Sequence, residues 1–494
     1  MKDKKEFITL LTIFLFILIL RLTFTFSSTN FISDTSYANL EQVKTILETG
    51  HPSSYYIFGG NPLITSLPIF PYLLSLFTLI MPLNLVGKLF PQILAPSLSL
   101  IVYFISYNIL KNKKISYVNA IIAGTLPIFI KSTINSVLPD SITIPLFFLS
   151  LFFISNIHKN KKYITYFLIS LIILMLSSTL AIILALSLIL YLILVRNTHL
   201  KDNPIEIELI LFSSFIIIWF FIIFFKNIFL IHGYSTIWQN TPLPILQNYF
   251  KDIGFLESVY AIGIIPLIAG IIVIYKYLIH SHRKSIYLFS SVILITFTLM
   301  WFRLVKTTEA LTLLGVSLVI LSGQAYLDFR NFLTNTKFPL KKTVLTFLTI
   351  SLLLFSFIPT TFYLQNSLSQ SFSQKEIDSM YWLKENTPKD AIIASNYLEG
   401  QLIESIAERN ILIHQNFFLF PDPDARLTAH NLILSSSFST NALRESIKYG
   451  VDYIYFSPIS QEYFNQNQIP YIIDSCFEEV YNDGVQIYKI KCII

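Results

Sequence analysis

The sequence predicts an α-helical polytopic membrane protein with about eleven transmembrane helices and a small C-terminal α/β domain outside the cytoplasm. Three observations point there. The 494-residue chain is 54% hydrophobic and only 13% charged, with a mean hydropathy of +0.63, which is more apolar surface than a water-soluble core of this length can hide. Its lysines and arginines fall in short clusters between apolar runs. Near residue 365 the Ile/Leu/Phe runs give way to a mixed, charged sequence.

A spanning helix needs roughly 20 apolar residues. Such runs occur at 7–27, 88–110, 116–134, 142–157, 163–178, 180–195, 207–225, 256–277, 286–302, 308–323 and 343–362. The first follows Lys2, Lys4 and Lys5; it is too long for a signal-peptide core and lacks a small-x-small cleavage site, so an uncleaved span with a cytoplasmic N-terminus is expected in a plasma membrane. Positive charge should then collect on alternate sides. It does, at Lys111/Lys113/Lys114, Lys159/Lys161/Lys162, Arg196/Lys201, Arg283/Lys284 and Arg330/Lys337/Lys341/Lys342, while Lys44, Lys131, Lys226 and Lys251 are scattered over the other side. The net charge of +6 therefore reports orientation in a bilayer and does not call for nucleic acid. The run 63–83 contains Pro68, Pro71 and Pro82. Counting it as a span would invert the charge pattern, so it is read as a helix lying at the outer interface.

That assignment leaves a first outer loop at 28–87 and a later one at 227–255, with a membrane domain over 1–362 and the terminal domain over 363–494. Loops this long are usually functional. Within the first, 37–49 reads as an amphipathic helix, with Leu40, Val43, Ile46 and Leu47 facing one way and Glu41, Lys44 and Glu48 the other. In the terminal domain helices near 374–386, 401–409, 425–435 and 441–450 alternate with strands at 391–395, 411–414 and 452–457. A hairpin of 471–480 with 485–492 turns at Asn482-Asp483-Gly484. Cys476 and Cys492, the two cysteines, could pair in an oxidising compartment.

No P-loop, dinucleotide fingerprint, His/Cys metal cluster or Gly-x-Ser-x-Gly occurs, which removes most ATP-driven and hydrolytic chemistries. What remains is a set of ionisable residues at the outer boundary. Asp34 follows the first span, and Asp140 sits in the short turn between the third and fourth. Each suits a helix N-cap; each could also take a proton from an acceptor, and the two together could bind a divalent cation such as Mg or Mn. Glu257 opens the eighth span, and Arg303, Lys306 and Glu309 cluster where the ninth and tenth meet. Arg303 or Lys306 would suit a lipid-linked phosphate, or would simply snorkel to the interface.

The order of these features resembles the GT-C superfamily of lipid-dependent glycosyltransferases, in particular the oligosaccharyltransferase catalytic subunits. Asp34-Thr35-Ser36-Tyr37 through Glu48-Thr49-Gly50-His51-Pro52 is similar to that family's first-loop pattern. The resemblance implies a catalytic or metal-binding role for Asp34, an acidic partner in Asp140, a third acid in Glu257 and a carrier-phosphate contact at Arg303, with Tyr37, His51, Lys306 and Glu309 beside the substrate. Tyr381-Trp382-Leu383-Lys384-Glu385-Asn386-Thr387-Pro388 resembles the entry to the family's C-terminal domain. Oligosaccharyltransferases continue with Trp-Trp-Asp-Tyr-Gly; here Ser395-Asn396-Tyr397-Leu398-Glu399-Gly400 stands instead, which argues against recognition of an Asn sequon. The resemblance thus implies transfer of a sugar from a polyprenyl-phosphate or diphosphate carrier to an acceptor outside the cytoplasm. On charge pattern alone a transporter or lipid flippase, or a non-catalytic envelope scaffold, stays open.

Overall fold

The computed structural model describes residues 4–52, 67, 69–198, 200, 203–226, 230, 254–336, 339–369, 371–417, 422–472 and 475–492. Most of the later outer loop, with Trp238, Pro242 and Pro244, lies outside the described residues, as does 53–66 of the first.

Every expected span is helical. Helices α1 (Lys4–Phe26), α10 (Leu180–Asn197), α11 (Pro204–Phe224), α14 (Lys284–Trp301), α15 (Thr307–Asn335) and α16 (Lys341–Ser369), and the pair α4 (Leu83–Leu94) and α5 (Ser97–Leu110) taken as one, are long and apolar enough to cross a membrane. Two further spans are broken: α6 (Lys113–Gly124) with α7 (Pro127–Thr133) bends by 41°, and α12 (Phe255–Ile262) with α13 (Ile264–Ile279) by 90°. The first break lies ahead of Pro127, whose ring cannot continue a helical hydrogen-bond ladder, and the Thr360 hydroxyl meets the Thr125 carbonyl at 2.5 Å. The second falls at Gly263, whose φ of 93° is open chiefly to glycine. Helices α8 (Asp140–Ile154) and α9 (Lys162–Met175), at 15 and 14 residues, are shorter than a full crossing but pack in the same core. Helix α3 (Ile69–Thr78) has only 10 residues, a rise of about 15 Å. It cannot span, as the three prolines of its segment implied.

The ends of the bundle are chemically distinct. At one, Lys113 pairs with Glu6 at 3.0 Å, Lys159 reaches Asn108 and Asn156, and Lys284 lies 3.8 Å from Glu206. The basic clusters expected on one side therefore do gather. At the other lie α2 (Asp34–Thr49), the 135–140 turn and the terminal domain. Between the ends the bundle buries Arg21, which has no carboxylate partner among the described residues. Fully buried in α1, it donates from Nε to Gln92 (2.9 Å) and from Nη2 to Thr133 (2.6 Å), over the ring of Phe129. It ties α1, α4 and α7 together just below the acidic end.

The terminal domain starts at α17 (Gln374–Asn386), held by a capping box in which Ser373 and Glu376 satisfy each other's backbone N–H. Its sheet runs β2 (Asn410–Ile411), β1 (Ile392–Ala394), β3 (Val451–Phe456), β5 (Gln486–Ile490), β4 (Phe477–Asn482). The first three strands are parallel and the hairpin is antiparallel. Helices α18 (Pro423–Ser435) and α19 (Ser439–Tyr449) match expectation, and α20 (Pro458–Phe464) adds a short helix not expected there. The hairpin turns at Gly484 (φ 75°), and Cys476 and Cys492 form a disulfide at its open end.

Candidate active site

Asp34 is the first helical residue of α2, not its cap: Ser33 holds the cap position and makes no side-chain capping bond. The carboxylate is 2% exposed. Its Oδ1 accepts from the Thr35 backbone N–H (2.6 Å), the Thr35 hydroxyl (3.2 Å) and the Gln415 amide (3.0 Å). Its Oδ2 is buried and has no partner among the described residues. Burial pushes Asp34 up to about 7, against the opposing pull of its Thr35 bonds. A carboxylate so placed has one oxygen fixed and one presented, with a proton affinity matched to neutral pH.

The outer turn carrying Asp140 is stitched to the same stretch. Asn135 Nδ2 donates to the Asn30 carbonyl (2.8 Å), the Val137 N–H donates to the Ser36 hydroxyl (3.0 Å), and Asn39 donates to the Val137 carbonyl (2.7 Å). One residue separates Asp34 from Ser36 and two separate Val137 from Asp140, so the two acids share one edge of the bundle. Asp140 opens α8 after Pro139. Glu309 and Lys306 lie within electrostatic range of it, and they lie 3.8 Å from each other.

Other candidates occupy different surroundings. Glu257 faces Lys131 at 3.4 Å, and Lys131 sits over the ring of Tyr363. Arg303 is exposed at the C-terminal end of α14 with φ 55°, a left-handed position that glycine fills more cheaply. Tyr37 takes the Phe31 N–H on its hydroxyl (3.2 Å) and sets its ring edge-on to Phe31 and Phe372. His51 is exposed past the far end of α2. The rise of that helix puts it roughly 24 Å from Asp34, so the two do not meet.

Sequence reasoning missed the contribution of the terminal domain. A short helical stretch, Gly400–Leu402 running into Ile403–Ala407, lies on α2. It brings Glu404 within range of Asp34. Glu404 Oε2 is buried without a hydrogen-bond partner among the described residues and stands 4.0 Å from His414 Nε2. Burial and the Asp34 charge push Glu404 up, and burial pushes His414 down to about 4. His414 is therefore neutral at pH 7. Its Nδ1 accepts from the Asn416 N–H (2.9 Å), so the ring proton is on Nε2, facing Glu404. A cleft of about 280 Å³ opens beside these elements, lined by Asn30, Tyr37, Lys44, Lys88, Tyr381 and Glu408 among others.

The stretch 395–400 does not present an acid to this cleft. Glu399 turns inward, fully buried, with Oε2 accepting from Ser457 at 2.8 Å and Oε1 unpartnered among the described residues. Burial pushes it up to about 8. Its folded value lies above its unfolded one, so the folded state binds the extra proton and stability falls as pH rises from about 4.5 through 8. Glu399→Gln escapes that loss. Its Tm should match the wild type near pH 4 and exceed it increasingly up to pH 9, by an amount on the order of a few kcal/mol in stability. Thermal unfolding of both proteins across that range tests this, and a constant difference would refute it.

Residues 62–223 match the model of a family described as dolichyl-phosphate-mannose-protein mannosyltransferase. No curated protein matches the sequence. Among solved structures the chain is similar to the archaeal oligosaccharyltransferase AglB from Archaeoglobus fulgidus in complex with an inhibitory peptide and a dolichol-phosphate, with 14% identity, 91% of this chain and 70% of that one covered, and a TM-score of 0.64. It is similar to ArnT from Cupriavidus metallidurans bound to undecaprenyl phosphate, with 9% identity, 97% of each chain covered and a TM-score of 0.55. A further structure of the Archaeoglobus fulgidus oligosaccharyltransferase, in complex with Zn and sulfate, matches at 14% identity over 90% of this chain and 68% of that one, with a TM-score of 0.59. The chain shares the fold of these membrane proteins, and the family match lies within its membrane-helix region.

Proposed function

We propose that this protein transfers a sugar from a polyprenyl-phosphate or diphosphate carrier to an acceptor (lipid, glycan or protein) on the non-cytoplasmic face, with its N-terminus cytoplasmic and its terminal domain outside. The observation that carries the reading is Oδ2 of Asp34, buried and unpartnered among the described residues, on a helix stitched to the turn of Asp140 at the acidic end of the bundle. The Cys476–Cys492 disulfide supports an oxidising, external location for the terminal domain.

The acceptor hydroxyl or amide attacks C1 of the sugar, its proton passes to Asp34 Oδ2, and the bond from C1 to the phosphate oxygen breaks with its electron pair leaving on the carrier phosphate. A single displacement inverts C1. Arg303 and Lys306, near the same end, are the cations suited to the developing phosphate charge. No group of three or more His, Cys, Asp or Glu side chains is placed to hold a metal among the described residues. Asp34, whose Oδ2 is unpartnered among the described residues, is a hard oxygen donor that would suit a divalent cation, and Asp140 at the same end would be the second carboxylate. Glu257 would join them only by exchanging Lys131. Such a cation would neutralise charge on the donor phosphate.

The test is a reconstituted transfer assay with polyprenyl-phosphate sugars labelled in the sugar, comparing wild type with Asp34→Asn and Asp140→Asn. Full activity in both variants would remove the carboxylate mechanism.

A further inference from the structure

We infer that Gln415 of the terminal domain is a positioning residue for the transfer reaction, holding the Asp34 carboxylate so that Oδ2 faces the reactants. The inference rests on the reading of Asp34 given above. Of the three donors on Asp34 Oδ1, two belong to Thr35 and come with the first turn of α2 itself. The third comes from Gln415, 381 positions away in the chain. Thr35 contacts fix only the near edge of the carboxylate, and the distant amide fixes its rotation. An amide suits this task, because it orients the carboxylate while leaving its negative charge uncompensated, whereas a lysine or arginine there would neutralise the base.

The loop that delivers Gln415 is tightly held. His414 is buried, its Nδ1 takes the Asn416 N–H, and the Phe417 N–H closes a turn on the His414 carbonyl. Gly400 lies so close beneath that an added Cβ would stand 2.5 Å from the Ile413 carbonyl oxygen and 2.9 Å from His414 Cα. Docking of the domain does not depend on Gln415. Asn30 donates to the Phe372 carbonyl, the Phe372 N–H returns to Phe31, and Lys44 reaches Glu408 at 2.9 Å. Positioning and docking can therefore be separated by mutation.

The experiment reconstitutes the full-length protein and measures turnover of polyprenyl-phosphate mannose, glucose and galactose, together with Tm, for wild type, Gln415→Met, Gln415→Leu, Gln415→Asn and Asp34→Asn. Gln415→Met keeps the side-chain size and removes the donor. It should lower kcat by about 10- to 100-fold with donor KM and Tm little changed, and Gln415→Asn should recover part of the loss. Should Gln415→Met unfold, Gln415→Leu carries the same expectation. Wild-type kcat in Gln415→Met beside an inactive Asp34→Asn overturns the inference and leaves the reading of Asp34 intact. A loss of kcat that comes only together with a fall in Tm, in Gln415→Met and Gln415→Leu alike, overturns it by assigning the effect to docking, and full activity in Asp34→Asn removes the reading beneath it.

Discussion

Asp34→Asn is expected to lose activity by about 10²- to 10⁴-fold, the range typical for removal of a general base, without losing stability. Asparagine keeps an oxygen for Thr35 and Gln415 but cannot accept the acceptor's proton at Oδ2. Its effect on folding has the opposite sign. Asp34 is pushed up to about 7 by burial from an ordinary 3.8, so the folded state favours the protonated acid and the wild type loses stability as pH rises from about 4 through 7. The variant does not titrate. Its Tm should equal the wild type's near pH 4 and exceed it at pH 8. Circular dichroism melts paired with transfer rates at both pH values check the two halves together, and a variant that is both inactive and less stable at pH 8 would mean that Asp34 holds the fold.

Gly400→Ala is the second large effect. The added methyl carbon would stand 2.5 Å from a backbone oxygen, with His414 Cβ and Cα at 2.7 and 2.9 Å, so no side-chain rotation relieves the clash. Either the 400–407 stretch or the 413–415 loop must shift. Overpacking of this kind costs roughly 1–3 kcal/mol, and a shift of the loop withdraws Gln415 from Asp34. Tm should therefore fall by several degrees and kcat should fall at least as far as in Gln415→Met. A variant with wild-type Tm and kcat would show that the loop tolerates the methyl group and that its close approach has no bearing on the site.

How far the site could be read in the sequence depends on which contacts are local. Sidedness was legible because Lys111, Lys159 and Lys284 must stay at a polar boundary whatever the packing, and Asp34, Asp140, Lys306 and Glu309 were legible by the same logic at the other end. The face of α2 was legible from the spacing of Leu40, Val43 and Ile46, all buried, but Leu47, expected on that face, is half exposed, because it sits in the last turn beside Gly50. Gln415, Glu404 and His414 were not. Their meeting with Asp34 depends on how a separate domain docks, and no periodicity encodes that. Gly400 carried a signal, as the glycine retained in an otherwise changed stretch, but its meaning is the backbone it packs against. Arg21 carried one too, as an ionisable residue inside an apolar run, while its partners Gln92 and Thr133 lie 71 and 112 positions on.

The most direct measurement is a structure of the reconstituted protein with a polyprenyl phosphate bound. The phosphate is expected at the acidic end, near Arg303 and Lys306, with Gln415 still on Asp34 Oδ1 and Oδ2 left for the acceptor. A phosphate held at the end of Lys113 and Lys284, or Asp34 turned away from an occupied cleft, would contradict the proposed mechanism.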